Sequence, residues 1–598
     1  MDKIKEYAEE EFLESILDEI LSNGKQLEEW KELFGIEVKD KNNLIENNTL
    51  QGKEWKKLPI DTKYFDEEFK WKLLVALSKN NDLDEILDGV LIKSENFQAL
   101  NLLLKKYYEK VQTIYIDPPF NKEQEADYLY KVGYKDATWI TMLENRIRLG
   151  RDLLNERGSI FVRCDYNGNM YVRLLMNEIF GWDTFRNEIV VAKSPKITEK
   201  ISRYHSEHDE IFFYSKGKNA FFEPAVKIRE ERKWRPMHLP GIRWSPIPSE
   251  YVSMFSPENL KEKNGKFYTR ARIICGKEYL PPEGRHWALS QESIFELEKR
   301  GYIRINDRGE PEVLESEWQK LTDIWTDIRG YSQSWDFPTE NSEILLKRVI
   351  ESTSNEGDLI LDFFLGSGTT TAVAHKLRRK WIGVEIGEHF YTVVLPRMKK
   401  VLFYDKSGIS KEKDVKERYN PKTAGGFFKY HTIEQYEDAL ENIEFEKPQK
   451  TLYELTDYFV KYMLEWETKN SKTFLNLDEM KDPFNYKLKI IENYQQKIVN
   501  VDLVETFNYL IGLNASGYEV LQENGRKYVF VFGEKEGKRV AIVWRSIKDI
   551  DFKKDKEVIE AKLKEFEPDE IYINGEALVR GFRHIEPLFK LLMFEEVR

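Results

Sequence analysis

A carboxylate, two prolines and an aromatic ring follow the strand-like run VQTIYI of residues 111–116, as Asp117, Pro118, Pro119 and Phe120. The run is β-branched and aromatic without alternation, which is typical of a strand covered on both faces by helices. The acid therefore stands at the carboxyl end of a strand, the edge of an open parallel sheet where ligands bind. The prolines end the strand because they lack N–H donors and fix φ. By itself, the tripeptide Asp-Pro-Pro favours an ordinary loop start. A functional interpretation of Asp117 therefore needs a second motif.

The second motif is LDFFLGSGTT, residues 361–370, in which Gly366 and Gly368 follow an apolar strand and open a helix. Glycines there let the backbone approach a bound nucleoside closely. The next strand-like run, KWIGVEI, ends in Glu385, which is placed to accept hydrogen bonds from two ribose hydroxyls. Neither a third glycine nor a GK[ST] sequence follows, which favours an adenosine-type site over a phosphate site. The alternative is a structural turn with a surface acid.

The two motifs and Glu385 resemble those of the amino-group DNA methyltransferases, in the order of the β class, where the catalytic motif precedes the S-adenosylmethionine motif. The resemblance covers roughly residues 60–405. It includes LIKSENFQALNLL, ATWITML, GSIFVRCD, HDEIFFYSK, PPEGRHWALS and DIWTDI. With GGFFKYHTIEQYEDAL and VDLVETFNYLIGL, the chain resembles in particular the adenine-specific modification (Mod) subunits of type III restriction-modification systems. The implied fold is α/β: a permuted Rossmann-like methyltransferase with an inserted target-recognition domain and an α+β C-terminal region.

The resemblance implies methyl transfer from S-adenosylmethionine to an exocyclic amine of a base that is flipped out of duplex DNA. Asp117 and the carbonyl of Pro118, which Pro118 and Pro119 free from the strand ladder, would accept the two amino hydrogens, and Phe120 would stack on the base. No covalent intermediate is required, so Cys164 need not be a nucleophile. The initial Asp favours adenine N6 over cytosine N4, which stays open as an alternative acceptor. A second alternative is a recognition subunit that mainly guides a helicase-nuclease partner.

The resemblance also implies which residues bind the cofactor. Ser94 stands where relatives have Gly, and the Lys-Pro of the family's T-x-K-P segment is missing from DFPTENSEILL, so only Thr339 carries over from that segment. The implied cofactor-binding residues are Glu95, Asn96, Asp362, Phe364, Gly366, Gly368, Thr369 and Glu385.

Residues 220–325 form an irregular block rich in Pro, Trp, Arg and Gly, which we interpret as the target-recognition domain. Duplex binding needs cations for phosphates and a few side chains for base edges. The alternative is a solvated loop with tryptophans in a small core, and we expect most of the tryptophans to be buried. The predicted DNA-binding residues are Arg232, Arg235, Arg243, Arg270, Arg272 and Arg285.

The elements that position these residues alternate between strand and helix on both sides of the block. The pattern predicts a helix from ATWITML that ends at Gly158, strands SIFVRCD, EIVVAK and EIFFYSK, and later strands KYVFVFGE, RVAIVW and EIYING. A further helix is predicted at TLYELTDYFVKYMLEWE. The predicted divisions are an N-terminal helical region (1–85), a catalytic half (86–219), a target-recognition domain (220–325), a cofactor-binding half (326–405) and an accessory region (406–598).

The composition indicates a globular, soluble chain: 33% of its 598 residues are charged, 13% are aromatic and the net charge is -12. An acidic total does not exclude DNA binding, which depends on a local basic face. Two distant cysteines exclude a disulfide scaffold and the usual zinc spacings, so we expect no metal and a reducing cytoplasm. His205, His208 and Asp209 lack a further ligand. The expected partners are double-stranded DNA, a second copy in a homodimer and a restriction (helicase-nuclease) subunit, and no membrane.

Overall fold

Two compact units make up the protein: a larger unit of residues 1–223 with 323–598, and a smaller unit of residues 224–322. The computed structural model describes residues 1–38, 57–120, 135–193, 204, 206–229, 231–328, 331–332, 334–335, 337–435, 438, 479–492 and 495–594. No described helix is both long and apolar enough to cross a membrane.

The larger unit begins with helices α1 (Asp2–Ala8), α2 (Glu10–Ser22), α3 (Gly24–Phe34), α4 (Glu67–Ser78) and α5 (Leu83–Ile86). Polar side chains start several of them. The Asn23 side chain accepts from the Gln26 N–H at the start of α3, and that of Asp66 accepts from the Phe69 N–H at the start of α4. The apolar faces of these helices share one core with the C-terminal region, to which Trp30 and Trp544 both belong.

A nine-stranded sheet forms the centre of the larger unit. Its strands are β1 (Gly89–Lys93), β2 (Val111–Ile116), β3 (Leu154–Cys164), β4 (Phe185–Ala192), β5 (His208–Ser215), β6 (Ile324–Trp325), β7 (Leu359–Asp362), β8 (Lys380–Glu385) and β9 (Phe428–Thr432). Their order is β6-β4-β5-β3-β2-β7-β8-β1-β9, and only β5 runs antiparallel to its neighbours. The associated helices are α6 (Asn96–Tyr107), α7 (Asp136–Leu153), α8 (Asn169–Phe180), α9 (Glu343–Thr353), α10 (Thr369–Lys376), α11 (Leu395–Phe403) and α12 (Lys413–Arg418). A mostly parallel sheet with these helices confirms the predicted α/β fold class.

Strand register brings the two sequence motifs to one edge of this sheet. Strands β2 and β7 are parallel neighbours, with Ile114 opposite Leu361. Asp117 and Phe364 each lie three residues further along, so the two positions are level. Neighbouring strands lie about 4.8 Å apart, and the ends of β2 and β7 therefore meet although about 245 residues of sequence separate them.

Helix α7 ends at Leu153, earlier than its predicted end at Gly158. Strand β3 starts at once, since Leu154 pairs with Val111, and the register then shifts. A Cβ at position 158 would lie 3.0 Å from the Val111 carbonyl oxygen, so glycine fits this irregularity. The prediction was wrong here because the amphipathic pattern continues into a segment whose strand pairing takes precedence.

The smaller unit consists of short strands around one helix, Gln291–Lys299. Frequent Pro and Gly keep the strands to three or four residues. Small clusters that include Met237, Trp287 and Ile294 in one and Phe255 and Ile273 in the other form its core. The strands are Val226–Ile228, Trp234–Pro236, His238–Pro240, Ser245–Ile247, Leu260–Lys263, Lys266–Thr269, Arg272–Ile274, Lys277–Tyr279, Arg285–Trp287, Ile303–Ile305, Pro311–Leu314 and Trp318–Lys320.

The C-terminal region of the larger unit contains a hairpin of β10 (Lys487–Glu492) and β11 (Gln495–Asn500) and a five-stranded sheet. Strands β12 (Asn514–Glu523), β13 (Arg526–Lys535), β14 (Lys538–Arg545), β15 (Glu570–Ile573) and β16 (Arg583–His584) lie in sequence order. Helices α13 (Leu503–Ile511), α14 (Phe552–Phe566) and α15 (Ile585–Phe594) accompany them. The three strands predicted here are confirmed, whereas the helix predicted over 451–467 lies outside the described residues.

Candidate active site

The turn after β2 is held by a buried indole. Trp139 of α7 is fully buried, and its Nε1–H donates to the carbonyl oxygen of Pro119 at 2.8 Å. Gly168 lies behind the indole, where a Cβ would come within 2.5 Å of the ring. Pro118 is buried, whereas Phe120 is half-buried. The turn therefore presents its aromatic residue from a fixed backbone.

Asp117 accepts a hydrogen bond from Asn341, a residue that was not predicted from the sequence. Asn341 donates from Nδ2 to Asp117 Oδ2 at 2.9 Å, and Arg163 Nη1 lies 4.0 Å from the same oxygen. Arg163 Nη1 and the Tyr115 hydroxyl both donate to Asn341 Oδ1, at 2.6 and 2.9 Å. The only sequence signal for Asn341 is its place in the segment related to T-x-K-P, at the position of the missing lysine.

A buried charge network lies behind these residues. Arg163 is fully buried, its Nη2 donates to Asp209 Oδ2 at 2.8 Å, and Lys193 donates to the other oxygen of Asp209 at 2.7 Å. Burial opposes ionisation of Asp209, but Arg163 and Lys193 outweigh it and lower its pKa. The centre of the Tyr331 ring lies 4.0 Å from the Arg163 guanidinium carbon.

The Asp209 carboxylate therefore forms ion pairs with Arg163 and Lys193. Within the described residues, no cluster of three or more side chains that could bind a metal ion occurs. His205 lies outside those residues.

The glycine turn follows β7. Gly366 and Gly368 have φ of 57° and 81°, values that glycine adopts without strain. The Glu385 carboxylate at the end of β8 accepts from the Gly366 N–H through Oε2 and from the Gly387 N–H through Oε1, each at 2.8 Å. Glu385 therefore holds the turn while lying at the carboxyl edge of the sheet. Phe364 is half-buried beside it.

Glu95 and Asn96 lie between β1 and α6. Glu95 caps α6, because its Oε2 accepts from the N–H groups of Phe97 and Gln98. The Asn96 Nδ2 donates to the Phe363 carbonyl at 3.0 Å, which links α6 to the turn after β7. Arg146 of α7 donates to the side chains of both Glu95 and Asn96. Sequence analysis missed Arg146, since nothing in its own helix distinguishes it from a surface arginine.

The two remaining cofactor candidates are both buried. Asp362 accepts from the Thr370 hydroxyl and from the Phe364 N–H. Burial raises the pKa of Asp362 to about 7, and the nearby carboxylates of Asp117 and Glu385 add to the effect. Thr369 is 2% exposed, and its hydroxyl accepts from Arg397 at 2.9 Å. The Thr369 side chain is therefore directed to an interior arginine.

The described residues 331–332, 334–335 and 337–341, which we call the bridging hairpin, contact both halves of the site. Tyr331–Ser332 pairs with Glu340–Asn341, so Asn341 reaches Asp117. From the same hairpin, the Phe337 ring lies 3.5 Å from the position of a Cβ on Gly366. Thr339 lies in its turn and is half-buried. One element thus contacts the turn after β2 and the turn after β7.

Arg272 in the smaller unit is a correction to the predicted DNA-binding set. It is 3% exposed, with Nε donating to the Leu289 carbonyl at 3.1 Å and Nη1 to the Ala271 carbonyl at 2.8 Å. Burial lowers its pKa. The guanidinium stabilises the interior of the unit and is not placed to contact DNA.

The other five arginines differ in their surroundings. Arg243 and Arg285 are exposed, whereas Arg270 is half-buried and donates to the Arg285 carbonyl. Arg235 forms an ion pair with Glu315, and the Arg232 guanidinium lies 4.4 Å from the centre of the Tyr302 ring while its Nε donates to the Glu315 carbonyl.

Tryptophans in the smaller unit do not follow the expectation that most are buried. Trp287 is buried, but Trp234 and Trp244 are half-buried. Cations cover both of them, with Arg304 4.4 Å from the Trp234 ring and Lys261 4.0 Å from the Trp244 ring.

Comparison with known proteins gives consistent matches. Residues 111–395 match the model of a family described as DNA methylase. The probable type III restriction-modification enzyme HindVI Mod subunit of Haemophilus influenzae is 28% identical over 495 residues, 70% of this chain and 64% of that protein. The DNA adenine methyltransferase YhdJ of Escherichia coli is 25% identical over 319 residues, 53% of this chain and 86% of that protein. The chain thus spans less than two thirds of the HindVI Mod subunit.

Among solved structures, the M1.HpyAVI–SAM complex is 17% identical and is matched over 52% of this chain and 98% of that chain, with a TM-score of 0.28. A TM-score this low does not establish a common fold. The fold class is therefore assigned from the strand order and register of the central sheet.

Proposed function

We propose that the protein is a site-specific methyltransferase that transfers a methyl group from S-adenosylmethionine to adenine N6 in duplex DNA, on the premise that residues 111–395 match a family described as DNA methylase. The observation that carries the proposal is the parallel pairing of β2 and β7, with Asp117 and the glycine turn at one edge. Adenine is favoured over cytosine N4 by the initial Asp of the motif and by the similarity to the protein named DNA adenine methyltransferase YhdJ.

The part of the site around Asp117 binds the methyl acceptor and promotes methyl transfer by orienting the amino group of the base. An exocyclic amino group is a poor nucleophile because its lone pair is delocalised into the ring. Asp117 and the Pro118 carbonyl accept its two hydrogens, which directs the lone pair toward the methyl donor and stabilises the developing positive charge. The half-buried Phe120 offers a face for the base. Since the amine lies inside a duplex, the base has to be flipped out.

The part of the site that would bind the methyl donor consists of the glycine turn and Glu385. Its hydrogen-bond acceptors and its backbone conformation fit S-adenosylmethionine. Glu385 offers carboxylate oxygens to ribose hydroxyls, and Gly366 and Gly368 allow close approach of the backbone. Asn96, Asp362 and Phe364 lie on the segments beside the turn, and Glu95 acts through its cap on α6. Thr369 acts by holding the turn through Arg397. When bound, S-adenosylmethionine supplies an electrophilic methyl group on a sulfonium.

The smaller unit supplies the proposed DNA-binding surface, with Arg232, Arg235, Arg243, Arg270 and Arg285 as its cations. Arg243 and Arg285 are the best placed, because both are exposed and the Gly241 N–H donates to the Gly284 carbonyl at 2.8 Å, which joins the loop of Arg243 to the start of the strand Arg285–Trp287. Glu315 offsets part of the charge of Arg235.

Replacing Arg243 and Arg285 together with alanine is expected to weaken duplex binding and to reduce the slope of log affinity against log salt by about two. Fluorescence anisotropy with a labelled duplex at several salt concentrations measures both effects. Lys299→Ala is the matched control, since Lys299 is exposed on the helix of the same unit and pairs with Glu296. An unchanged slope in the double variant would move the DNA surface elsewhere.

The partners implied by the Mod-like sequence are a second copy of this chain and a restriction (helicase-nuclease) subunit, acting in the cytoplasm. Methylome sequencing of a host that expresses the chain tests the function itself. N6-methyladenine at one recurrent sequence supports the proposal. N4-methylcytosine would change the acceptor base, and an unmodified genome would favour the alternative of a recognition subunit that guides a partner.

A further inference from the structure

The amide of Asn341 lies between the acceptor carboxylate and two buried donors. Its Nδ2–H donates to Asp117 Oδ2 at 2.9 Å, and its Oδ1 accepts from Arg163 at 2.6 Å and from the Tyr115 hydroxyl at 2.9 Å. Two donors on one side of an amide require that side to be the oxygen. The nitrogen must therefore face Asp117.

The donors behind Asn341 are themselves fixed. Arg163 and Tyr115 are fully buried, and Arg163 is held by Asp209, which in turn accepts from Lys193. With Asp117 and Asp209 negative and Arg163 and Lys193 positive, the formal charges balance. A neutral residue at position 341 preserves that balance, whereas a carboxylate there would disturb it.

Asn341 reaches this place through the bridging hairpin, which also contacts the glycine turn through Phe337. In the segment related to T-x-K-P, position 341 is where the family pattern has lysine. This chain therefore has an amide where that pattern has a cation. The amide donates a hydrogen bond to Asp117, the proposed catalytic acid.

We propose that Asn341 is a positioning residue for methyl transfer, whose amide N–H holds the Asp117 carboxylate in the orientation that receives the amino group of the substrate. The inference rests on the proposed function, because it assigns a role within that reaction. Loss of the Asn341 N–H removes one of the contacts that orient the Asp117 carboxylate, and misplacement by about 1 Å of a group that orients reactants costs about 100-fold in rate.

Asn341→Asp separates this role from a structural one. Aspartate keeps an oxygen to accept from Arg163 and Tyr115 but has no N–H to donate to Asp117, and because two adjacent carboxylates can share a proton, the rates are compared at about pH 9, where both are ionised. Single-turnover methyl transfer at saturating DNA and S-adenosylmethionine is expected to fall about 100-fold, while the dissociation constant for S-adenosylmethionine changes less than about threefold. Tyr115→Phe is the comparison variant, since it removes one donor to Asn341 and leaves the bond to Asp117. We expect it to lose less than tenfold.

A rate for Asn341→Asp within about threefold of wild type would overturn the proposal, because the retained acceptor would then be all that position 341 provides. If the added charge prevents folding, as shown by loss of the thermal transition, Asn341→Ala is measured instead. A rate loss with intact cofactor binding then supports the proposal, and an unchanged rate overturns it. A wild-type chain that transfers no methyl group contradicts the proposed function, and this inference falls with it.

Discussion

Replacing Asp117 with alanine is expected to lower the single-turnover rate of methyl transfer by about three orders of magnitude while cofactor affinity stays within about threefold of wild type. In the proposed reaction, the carboxylate accepts a hydrogen of the amine and faces the positive charge that develops on nitrogen. It lies at the end of β2, and the glycine turn is held separately by Glu385. Rapid-quench assays with labelled S-adenosylmethionine give the rate, and isothermal titration gives the affinity.

Asp117→Asn serves as the graded control. Its side-chain oxygen still accepts one amino hydrogen but carries no negative charge, so its rate should lie between those of the wild type and the alanine variant. A rate for Asp117→Ala near that of the wild type would remove Asp117 from the reaction. A parallel loss of cofactor affinity would instead indicate that the variant disrupts the shared edge of the sheet.

Replacing Glu385 with alanine is expected to weaken binding of S-adenosylmethionine by about a thousandfold. Two hydrogen bonds from ribose hydroxyls to a charged acceptor together contribute about 4 kcal/mol, and each 1.4 kcal/mol is a factor of ten. The change also removes the acceptor for the N–H groups of Gly366 and Gly387. Isothermal titration measures the dissociation constant, and the methyl-transfer rate at saturating cofactor should fall much less.

Glu388→Ala is the matched control for that experiment. Glu388 is three residues further along, and its side chain is 43% exposed and paired with Lys93. Its replacement should leave the dissociation constant nearly unchanged. Equal losses in the two variants would argue against a specific role for Glu385 and in favour of a general effect of negative charge on this loop.

The convergence of the two motifs was predictable because the carboxyl ends of parallel strands meet at one edge. The runs VQTIYI and LIL are short and mostly apolar, and each is followed directly by an aspartate, a residue type depleted in strands. Such local signals identify strands and the positions that follow them. The pairing of Ile114 with Leu361 agrees with that expectation.

Contacts between distant residues were not predictable in the same way. Asn341 meets Asp117 across 224 positions of sequence, and Arg146 reaches Asn96 on a different helix. Composition marks neither Asn341 nor Arg146, and the place of Asn341 in the segment related to T-x-K-P does not indicate a contact with Asp117. Thr369 has a further contact of this kind, since its hydroxyl accepts from Arg397, 28 positions away.

The sequence also did not predict which charged side chains are buried. Arg272 looks like its neighbours in an Arg-rich block, yet its guanidinium donates to carbonyls inside the smaller unit. Charge identifies a candidate for binding DNA, but only the packing around it decides whether water or DNA can reach it.

The most direct test of the central claim is to identify the nucleoside that receives the methyl group when the purified chain acts on duplex DNA with methyl-labelled S-adenosylmethionine. Label in N6-methyldeoxyadenosine is the predicted result, because an acid beside a glycine turn orients an amine toward the donor. Label at carbon 5 of cytosine would contradict the account, because that carbon has to be activated by a cysteine thiolate. Cys164 is buried, and burial raises its pKa well above the usual value. Absence of label from DNA would contradict it equally.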